Sequence, residues 1–270
     1  MPELPEIETI LRGIAPRILG QIFSKVIIRQ PKLRWEIPKT ISKELVNQKI
    51  INITRRGKYL LLQTENGTLI IHLGMSGRLL LLPRKHIVAK HEHITFELEN
   101  GLALCYIDPR RFGAILLAKD PSKHTLLKNL GPEPLSAEFS APYLLQKAKN
   151  RTCSLKQLIM NNNVVVGIGN IYACETLFLA HIRPDTITKS LSSKQCILLV
   201  KAIKDVLAHA ISKNGTTFRD YATSEGKSGN FQNELMVYGK AGLPCKVCGT
   251  TLQKIKLGQR NTVFCPKCQK

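Results

Sequence analysis

Tyr59-Leu-Leu-Leu-Gln-Thr-Glu-Asn66-Gly67-Thr-Leu-Ile-Ile-His-Leu73 is the stretch on which the fold turns. Two short apolar runs, Tyr59 to Thr64 and Thr68 to Leu73, stand on either side of Asn66-Gly67. Asn and Gly both tolerate positive φ, which the tight turn between antiparallel strands requires, so the pair predicts a hairpin. The device recurs at Asn100-Gly101, between Ile94 to Leu98 and Leu102 to Ile107. Further strand-like runs are Lys25 to Arg29, Ile50 to Arg55 and Arg78 to Leu82. Ahead of them Ile7, Ile10, Leu11 and Ile14 recur at helical spacing, predicting a helix that buries one stripe. Pro16, late in that pattern, marks a kink or an end. One helix leading into about seven antiparallel strands predicts a β-sandwich that carries its N-terminus on one face.

Outward from this block the texture changes at Gly131-Pro132-Glu133-Pro134, a linker. Beyond it Leu144 to Lys149, Leu155 to Asn161, Ile171 to Ala180 and Ser193 to Lys213 read as helices, with no hairpin signals among them. Gly215 to Gly229 is rich in Gly, Ser and Thr and reads as a loop. At 270 residues the chain exceeds the usual single-domain size. The expected organisation is α+β: a helix and antiparallel β-sandwich over 1–131, a helical domain with that loop over 132–234, and a small ribbon over 235–270.

The ribbon is defined by Cys245-Lys-Val-Cys248 and Cys265-Pro-Lys-Cys268, a C-x2-C-x16-C-x2-C pattern. Each C-x2-C knuckle aims two sulfurs at one point, and two knuckles joined by a hairpin close a tetrahedral shell around zinc. Gly249 and Gly258 serve the turns, and Leu252, Ile255, Leu257 and Val263 are the apolar positions. Disulfides or a redox pair are the alternatives, but the acidic N-terminus has no hydrophobic signal core and no run reaches transmembrane length. Cys105, Cys153, Cys174 and Cys196 are scattered, as reduced cysteines of a cytoplasmic protein are. The expectation is one structural Zn(2+) per monomer. Charge identifies the partner: 40 Lys+Arg against 19 Asp+Glu give +21, with no acidic residue after Glu234. A ribbon this basic is an electrostatic footprint for nucleic-acid phosphate. A solvated basic face or an anionic membrane surface are the other readings. The second lacks an amphipathic membrane helix or lipidation signal.

The chain opens Met1-Pro2-Glu3-Leu4-Pro5-Glu6. A small second residue lets the methionine be clipped, which leaves Pro2 with a free secondary amine. An α-amino group titrates near pH 7.7 to 8.0, roughly two to three units below lysine, so a useful fraction is nucleophilic at neutral pH. Glu3 and Glu6 stand on one face if the segment is helical. An amine beside an acid is equipment for covalent catalysis through an iminium ion. Alternatively, Pro2 starts a helix and the glutamates favour its positive end.

Other segments carry weaker signals. Arg55-Arg-Gly-Lys58-Tyr59 places Lys58 at a strand start, as a functional amine or a solvated charge. His72-Leu-Gly-Met75-Ser-Gly77 and Asp108-Pro-Arg110-Arg-Phe112-Gly113 put Met75, Arg110 and Phe112 in turns. Apolar residues there either pack elsewhere or act as wedges between base steps, with the arginine filling the space of an extruded base. In Val164-Val-Val-Gly-Ile-Gly-Asn170, two glycines permit close backbone approach and Asn170 stands at the expected N-cap of a helix. Such a helix start suits phosphate, and Lys156 lies upstream; a plain helix–helix turn is the other reading.

Taken in order, PELPE, RRGKY, HLGMSG, DPRRFG, VVGIGNIYACE, ELMVYGK (Glu234 to Lys240) and the four-cysteine ribbon resemble the bacterial formamidopyrimidine-DNA glycosylase family over essentially the whole chain. The related endonuclease VIII branch, directed at oxidised pyrimidines, typically has glycine where this chain has Leu4; Leu4 and DPRRFG favour the purine branch. The resemblance implies an N-terminal β-sandwich, a helix-two-turn-helix domain and DNA running across the cleft beside the ribbon. It implies base-excision repair of 8-oxoguanine and formamidopyrimidines in duplex DNA, or action at abasic sites, by a cytoplasmic, nucleoid-associated monomer with no membrane partner. Pro2 then attacks the anomeric carbon, and the Schiff base undergoes β- and δ-elimination. Glu3 resembles the acid that protonates the sugar oxygen, and Glu6 a supporting carboxylate. Lys58 resembles the lysine that assists base release. Met75, Arg110 and Phe112 resemble the triad that fills the void, with Arg110 facing the orphaned cytosine. His72, Lys156, Asn170 and Arg260 match phosphate-gripping positions, Arg260 counted with the catalytic set. The loop from Thr216 to Gly229 caps the flipped base. Asn161 stands where the family often has an acidic residue.

Overall fold

The computed structural model describes residues 2–216 and 229–270 of the chain. They divide into two compact units, Met1–Lys128 with Lys213–Gln232, and Asn129–Ser212 with Asn233–Lys270. Residues 213–216 and 229–232, on either side of residues 217–228, fall with the first unit.

The first unit starts with α1 (Leu4–Ile18), followed by β1 (Phe23–Ile28), α2 (Ile41–Leu45), β2 (Asn52–Arg56), β3 (Tyr59–Thr64), β4 (Gly67–His72), β5 (Arg78–Pro83), β6 (Glu92–Leu98), β7 (Leu102–Ile107) and β8 (Ala114–Ala118). The strands form two antiparallel four-stranded sheets, β1-β6-β7-β5 and β2-β3-β4-β8. The deciding hairpin is present: Thr64 pairs with Gly67 across Glu65-Asn66, and Tyr59 with His72 at the far end. The second Asn-Gly joins β6 to β7, with Gly101 at φ +80°. β8 escapes the sequence reading; it pairs with β4 from His72↔Ala114 to Thr68↔Ala118, in a partnership that spans the other sheet. Inward residues of both sheets (Leu60, Leu62, Ile71, Leu79, Phe96, Leu104) meet Ile7, Ile10, Ile14 and Ile18 of α1 in one core. At about 1.5–3 kcal/mol for each fully buried aliphatic side chain, this stripe is what holds α1 on the sandwich. Pro16 does not end that helix, which runs on to Ile18.

The second unit contains α3 (Ala141–Ala148), α4 (Leu155–Ile159), α5 (Asn170–Leu179), α6 (Ser193–Ser212) and the ribbon hairpin β9 (Gln253–Leu257) and β10 (Arg260–Phe264). α3 begins three residues before the apolar run suggests, because Ser140 caps it by accepting from Tyr143 N. Cys174 and Phe178 of α5 share an apolar cluster with Val237, Leu252 and Val263, so helix and ribbon are one packed body. Among the described residues no helix is long and apolar enough to cross a membrane.

Candidate functional site

Pro2, Glu3 and Glu6 are buried at the start of α1. The Glu3 N–H donates to Glu6 Oε2 at 2.7 Å, and Glu6 Oε1 accepts from Thr216 N, also at 2.7 Å. One carboxylate therefore fastens the N-terminal backbone to a segment 210 residues later. Gly215 makes this possible: at φ +74°, a Cβ would lie 2.7 Å from Glu6 Oε1. The chain segments on either side of residues 217–228 are tied together by Asn230 N to Lys213 O and Phe231 N to Gly215 O, each 3.0 Å. Most of the segment assigned to capping a flipped base lies outside the described residues.

Lys58 occupies the two-residue turn between β2 and β3, where Arg56 pairs with Tyr59. It is only 8% exposed, so it is not a plain solvated charge. Gly57 turns at φ +55°, and Arg55 braces the turn by donating to the Gly57 carbonyl at 3.0 Å and to Glu8 at 2.8 Å. His72 ends β4 with its Nδ1 accepting from Gly74 N at 3.2 Å and its ring 4.7 Å from that of Tyr59. Burial, then the positive charges of Lys58 and Arg34, push its pKa down to about 4. At neutral pH it is an uncharged imidazole. A phosphate there meets a hydrogen-bond donor rather than a cation.

The turns at Met75 and Asp108–Gly113 share one buried anchor. Asp108 accepts from Ser76 Oγ at 2.7 Å, Gly113 N at 2.9 Å, Tyr106 OH at 3.2 Å and Arg110 N at 3.3 Å. The turns touch backbone to backbone: a Cβ on Gly74 would lie 2.4 Å from the Phe112 carbonyl carbon. Above this base the tips are in solvent, Met75 39% and Phe112 43% exposed, with the Arg110 guanidinium 4.7 Å from the Phe112 ring centre. Neither tip belongs to the core, which removes the packing alternative. Sequence reasoning does not single out Asp108; an Asp before Pro at a strand end is its only local signal.

In the second unit Lys156 is 1% exposed. Its Nζ donates to Asn170 Oδ1 at 2.5 Å and Thr262 Oγ1 at 2.6 Å, joining α4, α5 and β10. Asn170 is the first residue of α5 and not its N-cap, which is Gly169; its amide instead spans from Lys156 to the Asn261 carbonyl, 3.0 Å away. The side chain is thus spent on a tertiary bridge rather than on its own helix. Arg260 is exposed at the start of β10, after a Gly258-Gln259 turn with both φ values positive. Glu175, buried in α5, accepts from Met236, Val237 and Tyr238 backbone N–H groups at 2.8–3.0 Å. Burial raises its pKa against those three bonds. A lone carboxylate in an otherwise apolar helix is the legible sign of it.

The sulfurs of Cys245, Cys248, Cys265 and Cys268 lie within 4.8 Å of one another, with Cys245–Cys268 at 3.9 Å and Cys248–Cys265 at 3.5 Å. A tetrahedral zinc with Zn–S near 2.3 Å places sulfurs about 3.8 Å apart. Disulfides need about 2.05 Å. The four sulfurs fit zinc. Leu252 and Val263 are buried beneath the ribbon, while Ile255 and Leu257 are partly exposed.

Three family models match: the formamidopyrimidine-DNA glycosylase N-terminal domain over residues 1–115, its H2TH domain over 130–222, and a zinc finger found in FPG and IleRS over 242–270. The chain is 53% identical to the formamidopyrimidine-DNA glycosylases of Pseudomonas syringae pv. tomato and of Pseudomonas savastanoi pv. phaseolicola, each covering 100% of both chains. Among solved structures, a Lactococcus lactis FPG mutant in complex with Fapy-dG-containing DNA matches with TM-score 0.92 at 36% identity over 100% of both chains. The FPG protein of Thermus thermophilus matches with TM-score 0.90 at 36% identity over 99% of this chain and 98% of that one.

Proposed function

The chain belongs to the formamidopyrimidine-DNA glycosylase family, and we propose that Pro2 and Glu3 carry its reaction. The protein is a base-excision repair glycosylase and AP lyase for oxidised purines; it binds duplex DNA and its four-cysteine ribbon is a structural zinc site. The relatives reported above are bacterial, and we place this protein, acting as a monomer, in the cytoplasm and at the nucleoid.

With Met1 removed, the Pro2 nitrogen attacks C1′ of the damaged nucleotide and the glycosidic bond breaks, its electron pair leaving with the base, which takes up the proton that the Pro2 nitrogen gives up. The C1′–O4′ bond then opens as the nitrogen lone pair forms the iminium double bond, and Glu3 supplies the proton to O4′. Loss of a C2′ proton expels the 3′ phosphate, and a second elimination expels the 5′ phosphate. The observation that carries this reading is the buried pairing of Pro2 with Glu3 at the start of a helix, held by the Glu6 bridge to Thr216. Lys58, low in exposure at the β2–β3 turn, suits release of the base. Nucleotide extrusion costs a few kcal/mol. Met75 and Phe112 fill the vacated space, Arg110 faces the unpaired cytosine, and His72, Lys156, Asn170 and Arg260 serve the phosphates.

The test is borohydride trapping on a duplex bearing 8-oxoguanine opposite cytosine, with wild type, Pro2→Gly and Glu3→Gln. We expect an adduct on the N-terminal peptide, lost or much reduced in Pro2→Gly, and a roughly 10²–10⁴-fold slower reaction in Glu3→Gln. An adduct undiminished in Pro2→Gly, or one that maps to a lysine, overturns the assignment. A protein that retains Met1 is expected to give none, which intact mass measurement checks.

A further inference from the structure

His86, Glu92 and Cys105 bring three metal-ligating atoms within 4.8 Å of one another in the first unit, and none of them has a part in the reaction above. Glu92 opens β6, Cys105 lies within β7, and His86 comes from the segment between β5 and β6. His86 Nε2 is 3.1 Å from both carboxylate oxygens of Glu92 and 3.4 Å from Cys105 Sγ. Tetrahedral zinc with ordinary bond lengths sets N···O near about 3.4 Å and N···S near about 3.6 Å, so a small outward movement seats the ion.

The ring's other nitrogen supports the assignment. Nδ1 lies 3.1 Å from the Pro83 carbonyl, which only accepts, so Nδ1 holds a proton. Held by that bond, the ring aims Nε2 at the carboxylate and the thiol, the orientation that metal-bound histidines use, and an ion takes the place of the Nε2 proton shared with Glu92. Glu92 is oriented as a ligand also is: Thr95 Oγ1 donates to Oε1 at 2.5 Å, Arg29 Nη1 to Oε1 at 3.2 Å, and Ala89 N to Oε2 at 3.2 Å.

We propose that His86, Glu92 and Cys105 form a second metal site, for a zinc-class divalent ion, with its fourth position open towards the β5–β6 segment. Binding forms the Nε2, carboxylate and sulfur bonds, and the protons on Nε2 and on the Cys105 thiol leave to solvent. The carboxylate and thiolate neutralise the ion, while Arg29 stays paired with Glu92. The site also bears on the DNA-facing turn. His91 O accepts from Asp108 N at 3.1 Å, and His93 Nε2 lies 2.7 Å from Asp108 O, so an ion at Glu92 pins the segment that holds the base of that turn.

The experiment is titration of the full chain, ribbon already loaded with zinc, with Co(II), followed by absorption and by zinc and cobalt content. The expected result is one added cobalt per chain, with tetrahedral d–d bands and a single-thiolate charge-transfer band, while zinc content stays unchanged. Both bands are expected to vanish in His86→Ala and in Cys105→Ser. His86 comes from a connecting segment, so its variant tests the site even if Cys105→Ser fails to fold. Absence of the bands at millimolar Co(II), or bands that persist in His86→Ala, overturns the proposal.

Discussion

The two units hold their exposed groups by opposite means. In the first, a buried anion, Asp108, gathers donors from two turns and leaves Met75, Arg110 and Phe112 in solvent. In the second, a buried cation, Lys156, gathers side-chain oxygens from α5 and β10 and leaves Arg260 in solvent. The sign follows from what the neighbours offer. Tight turns expose backbone N–H groups, which need an acceptor, whereas Asn170 and Thr262 present oxygens, which need a donor. A recognition surface that must stay exposed cannot be held by apolar burial, so a polar hub beneath it takes that role.

Removing the zinc should separate the units most sharply. Structural zinc binding is worth on the order of 10 kcal/mol to a small ribbon. Chelation is expected to unfold residues 245–268 and to lower duplex affinity severely, while borohydride trapping at high protein concentration still labels the N-terminal peptide. Loss of trapping with affinity intact would sink the division of labour between chemistry and ribbon.

The hubs come next. Asp108→Ala strands four donors, and Lys156→Met strands two acceptors, so each variant should lose on the order of 3 kcal/mol in denaturant unfolding. Asp108→Asn should restore less than half, because an amide accepts at only one of its two ends. A loss below about 0.5 kcal/mol, the range of ordinary surface substitutions, would show that a hub is dispensable.

His72 makes the comparison depend on pH. Its folded pKa, about 4, lies below the ordinary value of 6.5, so the unfolded chain binds the proton more tightly. Its contribution is therefore complete above pH 6.5 and is lost as pH falls towards 4, by about 3 kcal/mol at most. Wild type should lose stability relative to His72→Gln when the pH drops from neutral to near about 4.5. A constant difference between the two would mean that folding leaves the imidazole's pKa unshifted.

The smallest effect on stability belongs to the tips. Met75→Ala and Phe112→Ala should each change unfolding free energy by less than about 0.5 kcal/mol, since both side chains are exposed. Single-turnover excision should nonetheless slow, because the extruded nucleotide is no longer replaced. Equal loss of stability and excision would make them packing residues after all.

Much of this is legible in short segments. Asn66-Gly67 announces the hairpin, the period of Ile7, Ile10 and Ile14 announces α1, and two C-x2-C knuckles announce the ribbon. Each rests on a local rule: turn stereochemistry, helical periodicity, or the reach of two sulfurs across one knuckle. Pro2 beside Glu3 is likewise a matter of chain order. Tertiary structure alone decided the rest. β8 pairs with β4 across the length of the other sheet, Asn170 is a bridge rather than a cap, and Glu6 meets Thr216 at a separation of 210 positions. Lys58 reads equally as a functional amine or a solvated charge until burial distinguishes the two, and the bridge that Lys156 makes from beneath α5 and β10 has no sign in its own segment. Composition and spacing specify what one segment can do. Burial and hydrogen-bond partners depend on which distant segment arrives, and the closing of such long loops leaves no periodic trace in the chain.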